Sequence, residues 1–107
     1  LTNYEEETFE FTLRELSFGD RVNRRLDLNQ SGLVIENVEP AGWGALGGLR
    51  QGDLLLRVEK NSVDSVDGFE KIMNRLITQR KKSVVFFIRR GIHTLFLELE
   101  PDWDQGG

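Results

Sequence analysis

The sequence predicts a mostly β, α+β fold: a small, curved, mainly antiparallel sheet or partly open barrel of about five strands, capped by one short and one long helix. Two strand-like runs near the end of the chain, SVVFFIRR and HTLFLELE, are separated by a short turn and predict a hairpin. Only one amphipathic helix of full length is present, at residues 66–79. A doubly wound parallel sheet needs several crossover helices, so this count favours the antiparallel arrangement.

The first predicted strand covers residues 8–16, where TFEFTLREL alternates apolar and polar side chains. Phe9, Phe11 and Leu13 fall on one side of such a strand, which is the period-two pattern of a half-buried strand. The preceding residues 1–7 are acidic and aperiodic, and we expect a flexible lead-in there.

Two more strands follow a long polar connection that has room for a helical turn. LVIENV, residues 33–38, reads as the second strand and ends before Pro40. LLLRV lies in the third strand, residues 53–59, after a turn at Gly48–Asp53.

Between these strands the chain carries Gly42-x-Gly44-x-x-Gly47, the spacing of a dinucleotide-binding fingerprint. That fingerprint works only where the glycines open a full crossover helix before a parallel strand. Here the next apolar run begins at Leu54, six residues after Gly48. We therefore expect structural glycines beside a short helix, and no nucleotide site.

The long helix has a start signal at Ser65, a good N-cap, and Asp67 suits its first turn. Its apolar residues recur at three- and four-residue spacing: Val66, Phe69, Ile72, Met73, Leu76 and Ile77. The predicted domain spans residues 8–101, where Pro101 closes it, and residues 102–107 are expected to form a tail.

Composition narrows the function classes. The 107 residues carry a net charge of −4, which argues against nucleic acid or an anionic membrane as partner. There is no cysteine and a single histidine, His93, so the usual zinc sites and thiol chemistry are not expected, and no cofactor is predicted. No apolar run approaches the roughly 18 residues of a membrane span. The chain starts at Leu1, and we expect it to be a domain of a longer protein.

The run GLVIENVEPAGWGALGGLRQGDLLLRVEKNSVDSV resembles a PDZ domain, in the circularly permuted form attached to bacterial trypsin-like proteases of the HtrA/Deg class. The Gly48-Leu49-x-x-Gly52-Asp53 element followed by LLLRV is its most specific part. The resemblance covers about residues 9–101. It implies binding of extended peptides by β-augmentation, in which the ligand adds as a strand to a sheet edge.

The resemblance also implies a site. A loop of apolar-Gly-apolar pattern would hold the ligand's terminal carboxylate with its amides, the edge strand would follow at residues 11–16, and the long helix would face it. The implied peptide-binding residues are Phe9, Glu10, Phe11, Thr12, Leu13, Phe69, Met73 and Leu76. The apolar members of this set can equally belong to the core.

Glu10 departs from the family pattern, because it stands where the carboxylate loop carries glycine. Its charge, with the acidic residues 5–7 upstream, is expected to disfavour a bound carboxylate by roughly 1 kcal/mol at 4 Å in water.

The sequence leaves two readings of function. The first is a non-catalytic, peptide-binding regulatory or substrate-recognition module of a larger bacterial, protease-like protein. The second is a PDZ-like scaffold, between domains or subunits, that has lost binding of peptide C-termini. An enzyme is not expected, since no catalytic constellation is visible. The resemblance implies a periplasmic or cell-envelope location, with peptides, protein C-termini and other domains of the parent chain as partners.

Overall fold

Seven strands and three helices make up the described part of the chain, residues 3–27 and 29–100 of a computed structural model. The strands are β1 (Asn3–Glu6), β2 (Phe11–Glu15), β3 (Leu33–Val38), β4 (Leu54–Val58), β5 (Asn61–Ser62), β6 (Val84–Arg90) and β7 (His93–Leu99). The helices are α1 (Phe18–Asn23), α2 (Trp43–Leu46) and α3 (Val66–Gln79). The strands lie in the order β1-β2-β3-β4-β6-β7, with β5 beside β4, and the pairings are antiparallel.

This architecture confirms the mostly β, antiparallel prediction, but the sheet has two more strands than the five expected. One is the two-residue β5. The other, β1, lies in residues 1–7, which the sequence analysis treated as a flexible lead-in. That prediction is corrected for residues 3–6, which pair with β2. The alternation of apolar and polar residues that predicts a strand is absent from β1, because a charged residue, Glu6, occupies one of its inward positions. The predicted tail, 102–107, lies outside the described residues.

The core lies between the sheet and α3. Phe86 of β6 forms its aromatic centre, with ring-centroid distances of 5.7 Å to Phe9, 5.9 Å to Phe11 and 6.4 Å to Phe69, all edge-on. Each such contact contributes about 0.5–1.5 kcal/mol beyond the area it buries. Two strands and the long helix are therefore joined through one ring.

Helix α3 begins and ends where its sequence signals place it. The Ser65 hydroxyl accepts a hydrogen bond from the Gly68 amide at 3.0 Å, and Arg80 ends the helix in the left-handed conformation. The Val66 amide, which has no partner within the helix, donates to the Glu15 carboxylate at 3.0 Å. This bond fixes the start of α3 beside the last residue of β2.

The turn before β4 explains the Gly-Leu-x-x-Gly-Asp element. Asp53 is buried, and its carboxylate accepts from the Arg50 amide at 2.9 Å and from two nitrogens of Arg90, each at 2.8 Å. The same guanidinium donates to the Gly48 carbonyl at 2.8 Å. A buried charge needs such partners, so this ion pair clamps the turn to the β6–β7 hairpin.

The polar connection after β2 forms α1 around a capping box. The Ser17 hydroxyl accepts from the Asp20 amide, and the Asp20 carboxylate accepts from the Ser17 amide. Arg14 of β2 donates two hydrogen bonds to this carboxylate, which holds the pKa of Asp20 well below its usual range. Helix α1 is thereby anchored to the end of β2.

Candidate functional site

The predicted peptide site lies where β2 faces α3. The inward residues of β2, Phe11 and Leu13, point toward the helix, and the rings of Phe11 and Phe69 are 6.1 Å apart in an edge-on arrangement. The structure thus brings the predicted strand and helix residues together in the core between β2 and α3, the position where a PDZ groove would open.

The floor of this groove is part of the core. Six predicted site residues are buried: Phe9, Phe11, Leu13, Phe69, Met73 and Leu76. Thr12 is only partly buried and points to the opposite face, where it lies between Glu5 and Asn37 of the neighbouring strands. The core alternative that the sequence left open therefore describes the apolar side chains in this structure.

Strand β1 covers the edge of β2 on which a peptide would add. Its register places Asn3 opposite Arg14 and Glu6 opposite Phe11. Tyr4 lies on the inward face and packs edge-on against Phe69, with ring centroids 5.9 Å apart. The groove between β2 and α3 is consequently filled by a segment of the same chain.

The loop between β1 and β2 keeps glycine-like geometry although it carries Glu10. The backbone φ of Glu10 is 61°, in the left-handed region that glycine adopts most easily. The Glu10 carboxylate accepts from the Trp43 amide at 3.4 Å, at the start of α2. Its side chain is therefore directed toward α2, which the sequence argument about this charge did not consider.

The glycines of the apparent dinucleotide motif let α2 approach this loop. The Gly44 amide donates to the Phe9 carbonyl at 2.7 Å, and a Cβ on Gly44 would lie 2.8 Å from the same oxygen. A Cβ on Gly47 would overlap the side chain of Leu99. The strands on either side, β3 and β4, are antiparallel, so the βαβ unit of a nucleotide site does not form.

Glu6 is a feature that the sequence analysis missed. Its side chain is 2% exposed, and its carboxylate accepts from the Thr8 amide at 2.8 Å. Burial raises the pKa of Glu6, and hydrogen bonds from Thr8 and the Phe9 backbone oppose that rise. Burial, followed by the charges of Glu6 and Glu70, also raises the pKa of Tyr4.

A hollow of about 540 Å³ opens on the outer side of the loop, lined mainly by acidic side chains. Glu5, Glu7, Glu10 and Glu39 are among them. No group of three potential metal ligands is found within residues 3–27 and 29–100, and His93 is exposed at the start of β7. In the same part of the chain no helix has both the length and the apolar character of a membrane span.

Known structures share this fold. The PDZ domain of HtrA3, bound to a phage-derived ligand (FGRWV), superposes with a TM-score of 0.67 at 16% identity, over 94% of this chain and 86% of that one. The chain has the PDZ fold. The HtrA-type protease AlgW, in a variant with a decapeptide, matches 87% of this chain with 27% of its own, at a TM-score of 0.71 and 21% identity.

Sequence comparison agrees with the fold. A protein of Rickettsia conorii described as "Probable periplasmic serine endoprotease DegP-like" is 24% identical over 105 residues, which is 94% of this chain. The PDZ chain spans only 20% of that relative's length. No family model matches. The resemblance to PDZ domains of HtrA-type proteases, stated from the residues, is confirmed.

Proposed function

We propose that this PDZ domain is a non-catalytic module that binds an extended peptide, or the C-terminus of a protein, along β2. The observation that carries this proposal is the strand already seated there. β1 runs antiparallel to β2 in continuous register, and its inward aromatic side chain contacts α3. The edge thus has the geometry that β-augmentation requires, with backbone hydrogen bonds supplying affinity and side-chain contacts supplying selectivity.

The residues divide by role. Phe9, Glu10 and Phe11 supply the loop amides for a carboxylate, and the backbone of Phe11, Thr12 and Leu13 supplies the strand. Phe69, Met73 and Leu76 supply the helix side of the groove. The solved PDZ neighbours support the proposal, because HtrA3 was captured with a phage-derived ligand and AlgW with a decapeptide.

We further propose that the module serves a larger, protease-like protein as a regulatory or substrate-recognition domain. Its match to one fifth of a DegP-like relative supports a multidomain parent, and that relative's name supports a periplasmic or cell-envelope location. The other domains of the parent are then natural partners of the exposed surfaces.

Peptide selection on the purified chain tests the binding role. Phage-displayed peptides with free C-termini are selected, and fluorescence polarisation and NMR amide shifts then locate the bound peptides. We expect saturable binding with shift changes in β2 and α3. A matched control is Phe96→Ser on the far strand β7, where this side chain is 68% exposed, and it should bind as the unmodified chain does. Shift changes confined to β7 would contradict the proposal.

The second candidate is the scaffold that has lost peptide binding. The observation favouring it is the same strand, since β1 fills the edge and the groove residues are buried beneath it. In that case no peptide binds at any soluble concentration, and β1 stays in place under all conditions.

A further inference from the structure

β1 lies on β2 in the orientation of a bound peptide. It runs antiparallel to β2 and ends at Glu6, opposite Phe11, the last residue of the carboxylate loop. The chain then returns through the four-residue turn 7–10 into β2. The last residue of β1 therefore stands where the last residue of an added peptide would lie.

The side chain of Glu6 completes this likeness. Its buried carboxylate accepts hydrogen bonds from Thr8 and from the Phe9 backbone, and Phe9 belongs to the loop that would hold a terminal carboxylate. A buried carboxylate is costly unless such donors meet it. The loop thus holds a carboxylate through backbone donors, supplied here from within the chain.

We propose that β1 is an internal ligand of the groove, in which the Glu6 side chain replaces the terminal carboxylate of a peptide, and that an external peptide ending in a free carboxylate binds only when β1 leaves β2. This inference rests on the proposed peptide-binding function and adds its regulation. Binding is then a competition between β1 and an external peptide for the same strand position. The apparent affinity equals the intrinsic affinity multiplied by the fraction of molecules in which β1 has left β2.

Several features make β1 replaceable. It has four residues, it pairs with a strand on one side only, and it forms one outer edge of the sheet. Edge segments with few buried apolar contacts open at low free energy. Of its inward side chains, Tyr4 is only partly buried and Glu6 is a carboxylate, so little apolar area holds the strand down.

A reversible lock tests the proposal. Glu5 and Thr12 are direct partners in the β1–β2 register, outside the buried face, and the chain has no cysteine. Directly opposed residues of an antiparallel pair lie within the Cα range of a disulfide, so Glu5→Cys with Thr12→Cys ties β1 to β2 when oxidised. The same molecules, reduced, are their own control. Arg89→Cys with Thr94→Cys places a matched lock in the β6–β7 hairpin.

Two probes are used. One is a fluorescein-labelled hexapeptide of residues 1–6, LTNYEE, with a free C-terminus. The other is the set of peptides selected in the binding experiment above. We expect the oxidised β1 lock to abolish binding of both probes, reduction to restore it, and the β6–β7 lock to have no effect. Glu6→Ala, which removes the side-chain acceptor of the Thr8 and Phe9 amides, should tighten binding by about tenfold through weaker docking of β1.

The outcomes separate the two proposals. If selected peptides bind oxidised and reduced chains equally, the internal-ligand proposal is overturned while the binding function stands at another surface. If selection yields no peptide but LTNYEE binds the Glu6→Ala chain and not the oxidised lock, the internal ligand stands and the wider binding function fails. If neither probe binds the reduced or Glu6→Ala chains, β1 is a fixed strand and the inference is wrong.

Discussion

The two edges of the sheet are built on different principles. At one edge, β7 pairs with β6 over seven residues, and the Phe87 and Phe96 rings lie 4.6 Å apart with the Arg57 guanidinium 4.5 Å from the centre of the Phe87 ring. At the other edge, β1 pairs with β2 over four residues and buries a carboxylate. The first edge is held by length and by side-chain pairs, whereas the second is held by a short ladder and a charge-dependent contact.

This difference explains why only one edge suits exchange of strands. A long hairpin with cross-strand aromatic contacts opens only with the rest of the domain, because each cross-strand pair adds about 0.2–1 kcal/mol. We expect the four-residue edge strand β1 to open by itself. The proposed peptide site lies at the edge that we expect to open more easily, whereas the ion pair of Asp53 and Arg90 holds the turn before β4 against the other edge.

The largest expected effect comes from the core that both edges share. Phe69→Ala removes the ring that contacts Tyr4, Phe11 and Phe86, and we expect the free energy of unfolding to fall by about 3–5 kcal/mol. Urea denaturation measures it. Phe18→Ala, at a side chain 72% exposed, is the control and should change stability by less than about 0.5 kcal/mol. Equal effects of the two variants on the free energy of unfolding would contradict the placement of Phe69 in the core.

Hydrogen exchange compares the two edges directly. Amides of β1 should exchange by local opening, with protection at least about 100-fold below that of the amides shared by β6 and β7. Native-state exchange followed by NMR measures both sets in one sample. The comparison fails if β1 and β7 are protected to the same extent, since the edges then open together.

The docking of β1 should depend on pH through Glu6. Its pKa is raised above the ordinary value of 4.5, so the docked form binds a proton that the undocked form has lost. Lowering the pH from neutral through this window therefore strengthens docking by a few-fold. The charge of Glu7 adds to burial in raising the pKa of Glu6, and the charges of Glu6, Glu70 and Glu7 add to burial in raising the pKa of Tyr4.

Hydrogen-exchange protection of the β1 amides, corrected for the intrinsic pH dependence of amide exchange, is compared at pH 7 and pH 5, about two pH units apart. The Glu6→Gln chain should show no such change. Protection that falls on acidification of the unmodified chain would reverse the sign and contradict the buried state of the carboxylate.

Asp20, whose pKa is lowered by Arg14, stabilises α1 above its ordinary pKa and loses this contribution only in stronger acid.

The smallest expected effect concerns Glu10. The sequence argument predicts that amidating a peptide's C-terminus weakens binding little or strengthens it, and that Glu10→Gly improves affinity for free carboxylates more than for amides. The structure supports a gain in affinity for free carboxylates on Glu10→Gly, but we expect this gain to be less than about threefold. The reason is that the Glu10 carboxylate is directed to the Trp43 amide. Fluorescence polarisation of both peptide forms on the Glu10→Gly and Glu10→Gln chains separates backbone from charge. A tenfold preference of the unmodified domain for free carboxylates would remove the penalty altogether.

Much of the fold could be predicted because its elements carry strong local patterns. The α3 boundaries follow from the cap at Ser65 and the apolar spacing, and the last hairpin follows from two alternating runs around Gly91. The family resemblance predicts a peptide site between β2 and α3, which no local sequence pattern indicates.

What could not be predicted depends on tertiary contacts. Nothing in LTNYEEE indicates that Glu6 is buried, because a charged residue normally predicts a solvent-exposed position. Its burial depends on hydrogen bonds from Thr8 and Phe9, which form only in the folded chain. The left-handed conformation of Glu10 is likewise imposed by the surroundings, because glutamate does not favour it. Both misses fall at the candidate site, where local preference and function conflict.

The seating of α2 under the carboxylate loop has a consequence for affinity. Because the Phe9 carbonyl is bonded to the Gly44 amide, and Glu10 to the Trp43 amide, the loop is held from the side away from the groove. We expect these contacts to hold the shape of the loop when β1 leaves, so that an arriving ligand meets donors that are already oriented. Such preorganisation removes the entropic cost of ordering a loop at the moment of association. Exchange of one strand for another can then be fast, because only the strand, and not its receptor, has to rearrange.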